Sequence, residues 1–334
     1  MDKTVILIVG LGQIGTSIGL ALEKHGDLLQ RIGHTRIYGQ GNQAKKMGAL
    51  DKSAANLPSA ARKANIVVLA LPMDEVKDAL ELIAPELKEG AVVLDCSPAR
   101  QAASDWATDL LPEGRYYVGF TPVLNPQNLH VTEGGINAAN EFLFQDGMFA
   151  ITSPMGTSSD ALKVASDLAT MMEAVPLFAD IVEVDSYMAS VHVLPQLLAA
   201  GVTNITIESP GWDENRKLTG RPYAQLTNLV ASLDRANAIA LSARLNKEHV
   251  VRSIDDLITE LQAMRAELDD GDEEAFDARI NLAGENQMRW WHERKMVQWL
   301  SEGGEGIDMT QIGSSFGQLF GYGKPRPERG KRKQ

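Results

Sequence analysis

The alternation of apolar and polar positions divides this chain into two unlike halves. In the first half, short apolar runs of strand length take turns with stretches of helical spacing. Residues 5–9 (VILIV) form a β-branched run that stops at Gly10. From Gln13 the period changes, and Ile14, Ile18, Leu20 and Leu22 fit a helix that ends near Gly26. Residues 36–39 (RIYG) read as a second strand after a polar connection. Residues 65–71 (NIVVLAL) are continuously apolar, as a strand covered on both faces should be. Pro72 ends that run, and residues 73–87 carry helical spacing at Val76, Leu80, Ile83 and Leu87. Residues 90–96 (GAVVLDC) repeat the strand signal, and Ser97-Pro98 predicts a helix start, with serine as N-cap and proline at the first helical position. Residues 116–120 and 147–152 read as two further strands, joined by a polar, Asn-rich segment. Strands alternating with helices predict a parallel sheet with right-handed crossovers.

In the second half the strands largely cease. Residues 161–174 read as a helix and residues 176–180 as a last short strand. Residues 181–207 then predict one long, largely apolar helix with Pro195 inside it. A proline there costs about 3 kcal/mol and kinks the axis, so something must compensate. Further helices are expected over residues 223–231, 235–245, 253–268 and 273–300. The division predicts a nucleotide-binding domain over residues 1–180, an all-helical domain over 181–300 with a cleft between the two, and a flexible basic tail over 301–334. No internal repeat is evident.

The chemistry begins at the first turn. Gly10, Gly12 and Gly15 stand at the spacing of a dinucleotide fingerprint, between a strand and a helix. Gly10 permits the tight turn, Gly12 lets backbone approach a pyrophosphate, and Gly15 lets helix pack close on strand. The helix N-terminus at Gln13 and Ile14 offers N–H groups and a positive dipole end to phosphates. Ligands of such sheets lie beyond the carboxyl ends of the strands, which puts Ala70, Leu71, Pro72 and Ser97 beside the nucleotide. Ser97 is equally explained as an N-cap. No Asp or Glu occurs between Asp27 and Asp51 to hold a ribose 2′-hydroxyl, whereas Arg36, Asn42 and Lys45 could meet a 2′-phosphate. That favours NADP over NAD, with Lys45 and Lys46 as the solvated face of a short helix being the plainer alternative. On the long helix Asp185, His192 and Gln196 are seven and four residues apart, which predicts one polar face. A hydrogen-bonded core histidine and a functional one both fit His192.

Composition narrows the function classes. The 334 residues exceed one small core, and the net charge of −12 argues against a nucleic-acid or anionic-membrane surface. No stretch is expected to approach the roughly 20 apolar residues of a bilayer span, and no cleavable leader pattern is expected at its start. The single cysteine, Cys96, excludes an intrachain disulfide and a multi-cysteine metal site; the expected compartment is a reducing cytoplasm.

These residues resemble the prephenate/arogenate dehydrogenase family of tyrosine biosynthesis. The resemblance runs from GLGQIG at 10–15 through LALP at 69–72, DCS at 95–97 and GFTP at 119–122, into DSYMASVHVLPQLLA at 185–199, and fades after about residue 246. It implies a Rossmann-type doubly wound parallel sheet followed by an all-α domain, a homodimer formed through that domain, and NAD(P)-dependent oxidation of a small anionic cyclohexadienol. In that chemistry a hydride leaves the carbon bearing the 4-hydroxyl, a base takes the hydroxyl proton, and loss of carbon dioxide makes the ring aromatic. The family uses a serine after a strand, histidines in HP- and HLPH-like motifs, and an arginine on a later helix. Carried over, Ser97 stands at the serine and Thr121 at the first histidine. Val193 and Gln196 stand at the two histidines of the helix, with His192 one position earlier. Asn228 falls at the arginine, leaving Arg100, Arg216 and Arg221 as candidates for a substrate carboxylate. The resemblance therefore implies His192, Ser97, Thr121 and Gln196 as the catalytic set. Two other outcomes fit the same residues: a related oxidoreductase acting on another small acid or imine, and a cofactor-binding dimer with lapsed catalysis.

Overall fold

A computed structural model describes residues 3–131, 133–231 and 233–296. Its centre is β1 (Thr4–Val9), in which Ile6, Leu7 and Ile8 are fully buried. Each such side chain contributes about 1.5–3 kcal/mol by leaving water. Strand alternation sends Ile6 and Ile8 to one face and Leu7 and Val9 to the other, and each face has its own core. The first is closed by Ile18 and Leu22, on and just after α1 (Gln13–Ala21), and by Leu168 of a later helix. The second is closed by Val76 and Leu80 of a helix that follows the fourth strand.

The chain continues as β2 (Leu29–His34), α2 (Gln40–Lys46), β3 (Lys52–Ser53), α3 (Leu57–Ala61), β4 (Ile66–Leu69), α4 (Met73–Ile83), β5 (Val92–Asp95), α5 (Arg100–Leu110), β6 (Tyr116–Val123), β7 (Met148–Thr152), α6 (Ser159–Met171) and β8 (Val175–Phe178). Sheet order is β3-β2-β1-β4-β5-β6-β7-β8. All pairs are parallel except β6 with β7. The strand order reverses between β1 and β4, the crevice position where such sheets take ligands. This is the expected Rossmann-type doubly wound sheet, and helices follow it.

Two local expectations are corrected. The second strand is Leu29–His34, not residues 36–39, which form the turn leading into α2. Its Gln30 and Arg31 look polar in sequence, yet Arg31 is buried, its guanidinium donating to Gly19 O and Gly48 O and to the Asp51 carboxylate. Ser97 does not cap α5 either. That helix begins at Arg100 behind Ala99, which offers no side-chain cap.

The second half consists of α7 (Ile181–Met188), one π-helical turn over Ala189–Val193, α8 (Leu194–Ile207), α9 (Trp212–Asn215), α10 (Arg221–Thr227), α11 (Leu233–Leu245), α12 (Lys247–Asp270) and α13 (Glu273–Met296). Helix α7, the π turn and α8 are one continuous 27-residue rod, as expected. By length and composition it could cross a membrane, which corrects the expectation that no stretch approaches that size. It is anchored at its start by buried Asp185 and seated at the π turn by Ala189 and Val193 against Val250. Helix α11 lays Leu241 and Leu245 on the second core of the sheet. At the far end of α13, Trp291 packs on the His130 ring and Arg294 donates to Leu124 O, both on the β6–β7 connection. Residues 297–334, including the expected basic tail, lie outside the described residues.

Candidate active site

At the carboxyl edge of the sheet four strand ends are tied side by side. Gly10 N–H donates to His34 O at 2.9 Å, Ala70 N–H to Val9 O at 2.8 Å, and Cys96 N–H to Leu69 O at 2.9 Å. The glycine turn, Ala70 with Leu71 and Pro72, and the Cys96–Ser97 turn therefore form one ledge. Gly10 has φ +91°, and a Cβ there would lie 2.3 Å from Ala70 O, so both conformation and space require glycine. A Cβ on Gly15 would stand 1.9 Å from Gly10 O; its absence lets α1 sit against the turn. At Gly12 nothing lies within 4 Å of where a Cβ would be. Gly12 is also the N-cap of α1, without a side-chain cap and without an acidic residue in the first turn. Open space at a bare helix N-terminus fits a pyrophosphate in size and charge. Gln13 and Ile14 supply the first N–H groups of that helix, and the Gln13 amide is steadied by Ala138 O at 3.3 Å.

On the adenosine side, β2 ends at His34 and runs into Thr35 and exposed Arg36, whose guanidinium is 3.5 Å from Glu75. Asn42 is exposed in the first turn of α2. Lys45 is in its last turn, about 4.5 Å further along the axis at 1.5 Å per residue, so Arg36 is the cation nearest the strand end in sequence.

Next to the ledge is a buried polar node that the sequence reading missed. Asp95, at 0% exposure, accepts from Ser97 N–H (3.0 Å), Ser97 Oγ (2.6 Å), Tyr117 OH (2.9 Å) and Arg100 Nη1 (3.0 Å). Arg100 is equally buried; Nη1 also donates to Asp95 O (2.5 Å) and Nε to Thr121 Oγ1 (2.8 Å), while Nη2 and the nearby Thr152 Oγ1 have no hydrogen-bond partner among the described residues. Gly119 makes room for it, since a Cβ there would be 2.9 Å from Arg100 Cδ and 2.2 Å from Thr152 Oγ1. Burial and the Asp95 carboxylate hold the Tyr117 phenol well above its ordinary pKa, so it stays a donor. Burial, then Asp95, pushes the Cys96 thiol up to about 12, which leaves it inert as a nucleophile.

The node changes three expectations. Ser97 and Thr121, both expected to be catalytic, are 1% and 6% exposed: the Ser97 hydroxyl donates to Asp95 and Thr121 Oγ1 accepts from Arg100. Those bonds tie both side chains to the strand ends. Arg100, a candidate for a substrate carboxylate, is itself held by a carboxylate inside the sheet edge. Arg216 and Arg221 are exposed in the helical half, Arg216 with Asp213 at 3.4 Å.

The long helix separates its polar residues. Asp185 is buried and caps α5 from outside, accepting from Arg100 N–H (2.6 Å) and Gln101 N–H (3.0 Å). Burial raises its pKa, against the two N–H bonds that lower it. Its carbonyl accepts from Asn246 Nδ2 at 2.6 Å, and Asn246 Oδ1 pairs with His249 Nδ1 at 2.8 Å. The π turn answers the cost of Pro195. Leu194 N–H reaches back five residues to Ala189 O, and the Gln196 amide donates to His192 O at 2.7 Å, at the turn where proline has no N–H to give. Gln196 thus bonds within the kink. The wide turn also breaks the even phase that would align Asp185 with His192 and Gln196. His192 is exposed, and among the described residues its ring has no hydrogen-bond partner. Protein crowding on its other sides partly desolvates the ring and lowers its pKa.

Residues 18–177 match the nucleotide-binding domain of prephenate dehydrogenase. The prephenate dehydrogenase of Bacillus subtilis (strain 168) is 25% identical over 275 residues, covering 81% of this chain and 72% of that protein. Among solved structures, prephenate dehydrogenase from A. aeolicus, in complex with hydroxyphenyl propionate and NAD+, superposes with TM-score 0.74 at 18% identity, covering 86% of this chain and 99% of that one. Synechocystis arogenate dehydrogenase follows with TM-score 0.65 at 18% identity, covering 86% and 100%. The two solved structures share the fold. With the sequence relatives and the glycine ledge, they lead to one conclusion: the chain is similar to prephenate dehydrogenases, most directly over its nucleotide-binding domain.

Proposed function

We propose that this protein is an NAD(P)-dependent dehydrogenase that oxidatively decarboxylates prephenate or arogenate, with His192 as the base. The observation that carries it is an accessible, unpartnered histidine of lowered proton affinity, on a helix bonded to the same sheet edge that carries the glycine ledge. The nicotinamide ring, when bound, accepts the hydride from the carbon bearing the 4-hydroxyl. The chain's own part is positioning and proton transfer. Gly10, Gly12, Gly15, Gln13 and Ile14 receive the pyrophosphate, and Ala70, Leu71 and Pro72 floor the cleft beside it. An imidazole nitrogen of His192 takes the 4-hydroxyl proton as the carbonyl forms, and carbon dioxide leaves as the ring becomes aromatic. Arg216 and Arg221 are the exposed cations available to the anionic substrate. The absence of an acid at the end of β2, with Arg36 there instead, supports NADP as the preferred form.

The second half is inferred to be a dimerisation domain, beginning near residue 181. Val182, Tyr187, Val191, Ile205 and Ile207 stand exposed along the rod, apolar surface suited to a second copy rather than to lipid, given Glu183 and Asp185 on the same rod. The cytoplasm is the inferred compartment, and nucleic acid is not an expected partner at a net charge of −12.

The test is steady-state reduction of NAD or NADP with prephenate and with arogenate. Turnover with one of them is expected, falling about 10²–10⁴-fold in His192→Asn. Because desolvation lowers the His192 pKa, the neutral base persists to lower pH than an ordinary histidine. The acid limb of kcat/KM should therefore fall below the usual histidine range. No reduction with either compound overturns the reading, and turnover of a different small acid or imine would replace its substrate.

A further inference from the structure

Among the described residues, Asp185 is the side chain of the rod that hydrogen-bonds to the sheet edge, and nothing in the proposed chemistry uses it. Its carboxylate holds the first two N–H groups of α5, a helix with no cap of its own. One of those belongs to Arg100, whose side chain is locked to Asp95 and Thr121 on the ends of β5 and β6. Its carbonyl is held from the other side by Asn246, at the start of α12. Further along, the π turn is fixed by Ala189 and Val193 against Val250. His192 lies within that turn, next to Val193 and seven residues or about 10 Å beyond Asp185.

We infer that Asp185 is a positioning residue for His192: its cap on α5 sets where the rod lies on the dinucleotide domain and hence where the histidine stands relative to the ledge. The inference rests on the dehydrogenase reading only for His192's role. The placement itself is independent of the substrate. A residue 4% exposed, its two carboxylate oxygens taken by N–H groups of α5 and its backbone carbonyl by Asn246, has no freedom to touch a ligand. It acts through the segment that it anchors.

The experiment combines Asp185→Ala, Asp185→Asn, Asn246→Ala and His192→Ala on the full chain. Asp185→Ala is expected to lower kcat at least tenfold with the KM for dinucleotide unchanged, and Asp185→Asn, which keeps one accepting oxygen, to recover most of it. In a His192→Ala background, Asp185→Ala should cost less than twofold more, because one residue acts through the other. An equal loss in both backgrounds overturns the inference. Should Asp185→Ala fail to fold, Asn246→Ala loosens the other hold on Asp185, at its backbone carbonyl, and is expected to lower kcat in the same way; an unchanged kcat overturns the inference. A readout without turnover separates this from the functional reading: the NMR titration of His192 should move toward that of an ordinary histidine in Asp185→Ala and stay put in Asp185→Asn. If wild type reduces no dinucleotide while the titration moves as stated, the dehydrogenase reading fails and the positioning stands. If the titration does not move in folded Asp185→Ala, the positioning fails, whatever the activity.

Discussion

Gly12 and Gly15 are three residues apart and fail in opposite ways when given a methyl group. A Cβ on Gly15 would meet Gly10 O at 1.9 Å, so Gly15→Ala must push α1 off the turn and destabilise the domain, read as a lowered Tm. At Gly12 the same methyl meets no protein atom. Gly12→Ala should leave Tm within experimental error while weakening dinucleotide binding at least tenfold by calorimetry, about 1.4 kcal/mol. These roles were legible in the sequence because they depend on neighbours within a few residues. The roles of Ser97 and Thr121 were not. Each is decided by a partner, Asp95 or Arg100, whose position follows from strand register and from the space left by Gly119. In sequence, a serine after a strand and an N-cap look alike; only the through-space carboxylate distinguishes them.

At the scale of elements, the strands that the sequence marked best are those buried on both faces, β1, β4 and β5, because they are continuously apolar. The second strand was misplaced because its interior Arg31 reads as polar, while its charge is neutralised by Asp51 and two backbone carbonyls. The edge formed by β5, β6 and α5 depends on a buried ion pair, Asp95 with Arg100. Removing one partner of such a pair leaves the other charge buried and unpaired. Asp95→Asn should therefore lower the unfolding free energy by about 3–5 kcal/mol in a denaturant titration. Tyr117→Phe, which deletes one of the bonds to that carboxylate, should cost about 1 kcal/mol. The rod itself was legible as one helix with a proline in it. Its π turn was not, since nothing in a residue list marks where a helix widens.

For the whole molecule, the division into a sheet followed by helices was legible from periodicity alone. The exposure of the second half was not. Large apolar side chains remain uncovered on the rod and on α12 and α13, among them Ile205, Ile258, Leu261 and Trp290. A face of this kind is what a second copy would bury. Sedimentation of the purified protein is expected to give a dimer, and Ile205→Asp should shift it toward monomer; a monomeric wild type removes the dimer.

The π turn has one more consequence. Between Ala189 and Val193 the rod uses an extra residue to complete its turn, so angular position cannot be carried across that point by counting. A deletion of one residue there would leave the composition nearly unchanged and yet twist everything upstream by about 100° relative to everything downstream. Either Asp185 would leave its helix end or Val193 would leave its seat, and the ten-residue spacing from Asp185 to Pro195 is in that sense a mechanical dimension of the protein.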